Sequence, residues 1–142
     1  MRAVADAGPL IHLSWIGQLD LLSLLFDEVI APAAVQEEVL RAGPGVPGVA
    51  EHRHAFASGV LGVQRVLDVA AVETLASSLD RGESEALVLK HESHADLLLI
   101  DERRARARAE REGYPLTGTI GILRMARDHG LIRGVGPLRV PC

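Results

Sequence analysis

Leu97-Leu98-Leu99-Ile100-Asp101 is four apolar residues in a row closed by an acid, with Asp96 standing just before it. A run without polar alternation suits a strand buried on both faces, as in parallel sheets covered by helices. Helical patterns flank it on both sides. Upstream, Arg81–His94 reads as a helix whose start is signalled by Asp80-Arg81-Gly82-Glu83. Downstream, Glu102–Glu112 reads as a charged helix ended by Gly113. The same order of strand, acid and helix stands at the amino end, where Arg2–Ala5 runs into Asp6 and Gly8-Pro9 starts a helix.

The rest of the chain repeats this alternation. Gln18–Phe26 has the spacing of an amphipathic helix, Glu28–Ala31 of a second strand closed by Pro32, and Ala33–Arg41 of a further helix. Ala42–Gly48 has Gly or Pro at five of its seven positions and must be a loop too short to link domains. Val49–Ser58 and Val69–Leu79 read as helices, with an apolar strand or turn around Leu61–Val66 between them. Leu116–Gly118 is a short strand and Ile120–Asp128 a helix closed by Gly130. Such alternation implies parallel strands joined by right-handed crossovers. The expected fold is therefore α/β: a three-layer α/β/α sandwich around a central, mainly parallel sheet, in a single domain over residues 1–142.

Composition agrees. A chain of 142 residues can bury roughly 68–70% of its unfolded surface without a covalent staple. Hydrophobic residues make up 48% but aromatics only 3%, so the core must be aliphatic and an aromatic platform for stacking bases is excluded. The single cysteine, Cys142, permits no internal disulfide, and a reducing, cytoplasmic setting is expected. Leu21–Phe26 falls far short of the ~20 apolar residues of a membrane span. The net charge of −4 argues against holding nucleic acid by bulk charge, yet eight of the fifteen basic residues lie between Arg103 and Arg133. Local attraction for phosphate is preserved.

In a parallel α/β sheet ligands collect beyond the carboxyl ends of the strands, where both Asp6 and Asp101 stand. Each could instead cap the helix that follows it. Glu38 shares a helix face with Val35, Val39 and Ala42, while its neighbour Glu37 is turned toward water. Glu85 likewise shares a face with Val88 and Leu89 and is expected to point inward. Glu83, in the first turn of its helix, is favoured there by the macrodipole alone and is read as a supporting group. Four inward carboxylates in one pocket repel at about 4 kcal/mol per pair at 4 Å. A hard divalent cation relieves this, and oxygen-only ligands suit Mg²⁺ or Mn²⁺ better than Zn²⁺. The spacings His52-x-His54 and His91-x-x-His94 lie in polar surroundings and are read as surface histidines.

Five segments in order, Val4-Ala-Asp-Ala-Gly-Pro-Leu-Ile, Val35-Gln-Glu-Glu-Val, Gly82-Glu-Ser-Glu-Ala, Leu99-Ile-Asp-Glu-Arg and Thr117-Gly-Thr-Ile-Gly-Ile-Leu, resemble the PIN-domain nucleases. The chain looks most similar to the short prokaryotic branch that includes the toxins of virulence-associated toxin–antitoxin pairs. That resemblance implies an Mg²⁺- or Mn²⁺-dependent endoribonuclease, frequent homodimerisation, an RNA substrate and a small antitoxin protein covering the site. It implies that Asp6, Glu38, Glu85 and Asp101 are the catalytic and metal-holding acids, and that Thr119 matches a hydroxyl position contacting a metal-held water or a phosphate. Three departures stand out. Gly8 replaces the family's usual small polar residue, Glu85 stands where many relatives carry Asp, and the chain stops at Cys142, soon after Pro137, where similar proteins continue into a further helix. An uncovered patch or a swapped partner is expected from the last of these. The competing readings are a PIN-like scaffold that binds RNA or protein without cleaving and, behind it, a phosphoryl-transfer domain. The latter normally needs paired acids after the first strand and a lysine after the last.

Overall fold

The computed structural model describes residues 1–41 and 45–133. The expectations placed on residues 42–44 of the loop and on the tail beyond Pro137 lie outside the described residues. Five strands, β1 (Arg2–Ala5), β2 (Glu28–Pro32), β3 (Gly62–Gln64), β4 (Leu97–Leu99) and β5 (Leu116–Thr117), form one sheet in the order β3-β2-β1-β4-β5. Every pairing is parallel. Around it lie α1 (Ala7–Trp15), α2 (Leu21–Leu25), α3 (Ala33–Arg41), α4 (Val49–Ser58), α5 (Val69–Leu75), α6 (Arg81–Glu92), α7 (Arg103–Arg111) and α8 (Thr119–Asp128).

Both faces of the sheet are buried, and the two-residue period of the strands divides them. Ala3, Ala5, Val29, Ala31 and Leu99 join a core with Leu10, Leu13, Leu22 and Ile122. Val4, Ile30, Leu98 and Ile100 join a second core with Leu87, Leu89, Ala105 and Ala109. Each fully buried Leu contributes roughly 1.5–3 kcal/mol over leaving it in water, so these two aliphatic layers hold the sandwich together without aromatic help. Ala105 and Ala109, both 0% exposed, let α7 approach the sheet closely.

Two helices fall well short of the sequence reading. Gln18–Phe26 is helical only over Leu21–Leu25, because Gly17 takes a left-handed φ of 67° and the chain turns before α2. Val69–Leu79 is helical only over Val69–Leu75. The strand-or-turn alternative around Leu61–Val66 resolves as a strand, three residues paired to β2.

The topology positions the site. From β1 the chain builds outward to β2 and β3, then returns to place β4 on the other side of β1, so the order reverses between β1 and β4. Crevices at such reversals are where open α/β sheets bind ligands. Ala5 pairs with Leu99, and the Asp6 N–H donates to the Leu99 carbonyl at 2.9 Å. Asp6 and Asp101 therefore leave the sheet at the same rim on neighbouring strands.

Candidate active site

Asp6 occupies the N-cap position of α1, with extended backbone angles, but its side chain makes no capping hydrogen bond. The simplest structural duty for this residue is thus unfilled. It is only 5% exposed, and its carboxyl is raised to about 7. Burial is the largest cause, the nearby Ala7 N–H pulls the other way, and the charges of Glu83, Asp80 and Glu38 add to the rise. Gly82 lies beside both acids: a Cβ there would stand in ordinary contact, 3.7 Å from Asp6 Oδ1 and 3.6 Å from Asp80 Oδ1. Asp6 consequently faces the first turn of α6.

That turn is fixed by a reciprocal cap. Asp80 Oδ1 accepts the Glu83 N–H at 2.7 Å, and Glu83 Oε1 accepts the Asp80 N–H at 3.0 Å. Glu83 is buried, and its carboxyl is raised by desolvation first, against the pull of the Asp80 N–H, with the charges of Asp80 and Glu102 adding to the rise. Glu102 is shifted the opposite way, held down chiefly by the backbone N–H groups of Ala105 and Arg104. Glu38 is exposed at the margin of a helix face whose Val35 and Val39 are buried. Its carboxyl is raised, by desolvation and then by Asp80, against the pull of Arg41. Asp6, Glu83, Asp80 and Glu38 thus form one electrostatic group.

Glu85 points inward, 8% exposed, but its two oxygens are engaged elsewhere. Oε1 accepts the Ala34 N–H at 3.1 Å, satisfying a donor at the start of α3, and Oε2 accepts from Arg81 Nε at 3.0 Å. Asp101 also serves a helix remote in sequence. Its Oδ1 accepts the Thr119 N–H at 2.7 Å, and its Oδ2 accepts from the Thr119 hydroxyl and meets His12 Nδ1 at 2.8 Å. The cap of α7, the helix that follows Asp101, is Glu102 instead. Gly118 makes this possible, because a Cβ there would lie 2.4 Å from Asp101 Oδ1.

His12, Asp80 and Glu102 were not among the residues singled out from sequence. For His12 a signal existed: Gly8 lies four residues earlier on the same helix face, and a Cβ on Gly8 would stand 3.5 Å from Asp101 Oδ2. The reading of His52 as a surface residue is corrected. It is 2% exposed, since α4 turns it inward along with Val49 and Ala55. Among the described residues, neither of its ring nitrogens has a hydrogen-bond partner.

The donors around Asp6 are all carboxylate oxygens, and burial, with repulsion from the neighbouring acids behind it, favours the protonated form of Asp6. They fit a hard divalent cation in chemistry. Among the described residues, no three His, Cys, Asp or Glu side chains already stand together at metal-binding distances. A cation held by Asp6, Glu38 and Glu83 would therefore require these side chains to close on one another and Asp6 to give up its proton.

The family model DUF3368, described as a PIN domain, matches residues 2–138. No curated protein matches the sequence. Spanning nearly all of the chain, with Asp6, Glu38, Glu83, Asp101 and Thr119 all inside the match, the model shows that this chain belongs to the PIN-domain family.

Proposed function

We propose that this chain is an endoribonuclease dependent on Mg²⁺ or Mn²⁺, cutting RNA phosphodiester bonds at the rim between β1 and β4. The PIN domain is a fold typical of nucleases, which generally use divalent metals. Asp6 carries the reading for this chain: a buried, uncapped carboxyl raised to about 7 among three further acids at a topological switch point. In this reading Asp6, Glu38 and Glu83 would hold the cation, with Asp101 at the neighbouring strand end. When bound, the cation lowers the pKa of attacking water and offsets the charge that develops on phosphate. Asp101 fixes the start of α8 at the same rim by accepting both the Thr119 N–H and the Thr119 hydroxyl, so these two donors brace the acid. Glu85 stabilises α3 and α6 in this assignment, rather than serving as the third acid that the family resemblance suggested.

The finer role we propose is that of the toxin of a toxin–antitoxin pair, acting in the cytoplasm as a homodimer and held in check by a small antitoxin. Its support is the order of the five motifs. The deciding experiment is RNA cleavage with Mn²⁺ and with chelator. Cleavage by the wild type that needs Mn²⁺ and is lost in Asp6→Asn is the expected result, and equal cleavage by both proteins overturns the reading. A second reading is a PIN scaffold that binds RNA or protein without cutting it. It is favoured by the open spacing of the acids and by Gly8, which gives Asp101 no side-chain donor. A wild type that binds RNA but leaves its ends unchanged in Mn²⁺ supports that alternative.

A further inference from the structure

We infer that the groove between α7 and the Ser78-Leu79 turn, lined by Arg104, Arg108 and Arg111, is a subsite for the backbone phosphates of a single RNA strand. The inference rests on the nuclease reading only for the identity of the strand.

Helix α7 carries five arginines and one glutamate in nine residues of an otherwise acidic protein. Ala105 and Ala109 bury one side of it against the sheet, which turns Arg104, Ala107, Arg108 and Arg111 to the opposite side at i, i+3, i+4 and i+7 spacing. There they meet Ser78 and Leu79 across a groove of about 180 Å³, floored in part by the small Ala107. Arg108 reaches Glu112 at 3.1 Å. Arg104 and Arg111 form no ion pair with an acid among the described residues. A solvated, self-neutralised helix face accounts for Arg108 but leaves Arg104 and Arg111 without a direct ion-pair partner among the described residues, beside a concave surface.

The groove also leads to the acids. Its Ser78-Leu79 wall runs directly into Asp80, and its α7 wall begins at the N-cap Glu102, whose charge acts on Glu83. Arg104 and Arg111 are about 10 Å apart along the helix axis at 1.5 Å per residue. Phosphates on one strand of a duplex advance only about 3.4 Å each, so the span covers more than one of them. The planar guanidinium fork matches phosphate oxygens better than a point charge does. With Tyr114 the only aromatic residue near α7, the groove offers no base-stacking surface. Recognition at this subsite is therefore of the backbone and indifferent to sequence. Its consequence is that a strand entering the acidic rim is held on its flank by cations that the acids themselves cannot supply.

The test is fluorescence anisotropy of a labelled 12-nucleotide single-stranded RNA in chelator, across 25–200 mM salt. Wild type is compared with the double variant Arg104→Gln/Arg111→Gln and with Arg53→Gln on α4 as a control for net charge. Removing two phosphate contacts lowers the slope of log affinity against log salt by about 1.4. The double variant is expected to show that loss with affinity reduced about tenfold or more at 50 mM salt, and the control to keep the wild-type slope. An unchanged slope in the double variant, an equal loss in the control, or a polyglutamate peptide of equal charge binding as tightly as the RNA overturns the subsite. Cleavage by the same proteins in Mn²⁺ separates the two claims. A double variant that cuts RNA but keeps the full slope sinks the subsite alone, and a wild type that never cuts yet loses the slope on mutation sinks the nuclease reading alone.

Discussion

Asp101 caps a helix it does not adjoin: its Oδ1 accepts the Thr119 N–H at 2.7 Å, so the end of β4 is tied to the start of α8 across seventeen intervening residues. The residue in the N-cap position of α8 is Gly118, which has no side chain to do this. The carboxylate takes over the duty of the missing cap and is itself oriented by it. An acid held from behind by an N–H, a hydroxyl and an imidazole has little freedom left, which is what a site acid requires.

Two glycines face this carboxylate and should respond to alanine with opposite signs. At Gly118 the new Cβ would meet Asp101 Oδ1 at 2.4 Å and the Ile100 carbonyl at 3.2 Å, and backbone cannot step aside cheaply. Gly118→Ala is expected to cost about 1–3 kcal/mol, as overpacking does. At Gly8, inside α1, the nearest atom to the new Cβ is Asp101 Cβ at 3.4 Å, an ordinary contact. Gly8→Ala should stabilise by about 0.5–1 kcal/mol, the usual helix-interior difference. Thermal midpoints of the two variants at one pH check the pair, and a fall in both would show that the crevice is tighter than these distances imply.

Asp6 makes the protein less stable as pH rises. Its folded pKa of about 7 lies above the 3.8 of a free carboxyl, so between those values the folded state binds more protons than the unfolded state. Stability from this residue is full below about pH 4 and is lost as pH climbs to about 7. At 1.36 kcal/mol per unit the whole effect is about 4 kcal/mol, an upper bound because the neighbouring carboxyls of Glu83 and Glu38 are raised as well. Asp6→Asn should therefore be more stable than wild type at pH 8 while losing cleavage, and urea midpoints at pH 5 and pH 8 read this directly. A wild type that gains stability over that interval, with the variant parallel to it, contradicts the assignment.

The sandwich was legible because its signals are local. The unbroken Leu97–Ile100 run, Pro32 after a strand, and Gly113 and Gly130 after helices each mark an element without reference to the rest. The rim positions of Asp6 and Asp101 followed from the rule that ligands lie beyond parallel strand ends. What the acids touch was not legible. Helical spacing turned Glu85 inward correctly, but the Ala34 N–H that meets it belongs to an element fifty-one residues away. Glu83 reads as a first-turn acid favoured by the macrodipole, and it also closes a capping box with Asp80. Its electrostatic link to Glu102 depends on how α6 and α7 pack. Periodicity assigns a face, and strand order decides what that face meets.

Glu83 and Glu85, two positions apart, are expected to separate stability from activity. Gln at the third helical position still completes a capping box, so Glu83→Gln should keep the thermal midpoint near that of wild type. It removes a buried acid beside Asp6 and should lower Mn²⁺-dependent cleavage by about 100-fold. Glu85→Ala leaves the Ala34 N–H and Arg81 without their partner and should cost about 1–2 kcal/mol, with most of the activity retained at low temperature. Midpoints and initial cleavage rates on both variants decide the matter. If Glu85→Ala abolishes cleavage while remaining folded, Glu85 and not Glu83 is the third acid.

His52 tilts stability the other way from Asp6. It is 2% exposed with both ring nitrogens unpartnered among the described residues, and burial holds its pKa below the usual 6.5, against smaller pulls from the Leu10 and Gly48 backbone and Glu51. Below pH 6.5 the unfolded chain takes up a proton that the folded chain refuses, so stability from this group is present above 6.5 and lost as pH falls toward the lowered value. In wild type the rise from Asp6 over the same interval masks that loss. The Asp6→Asn background exposes it: urea midpoints should fall between pH 7.5 and pH 5 there, and adding His52→Leu should flatten the fall. Leu also fills the apolar space between α4 and α1 without two unmet polar atoms, so the double variant should exceed Asp6→Asn in stability at pH 5. Equal slopes with and without His52 would mean that its nitrogens find partners on protonation, and that α4 yields to let them.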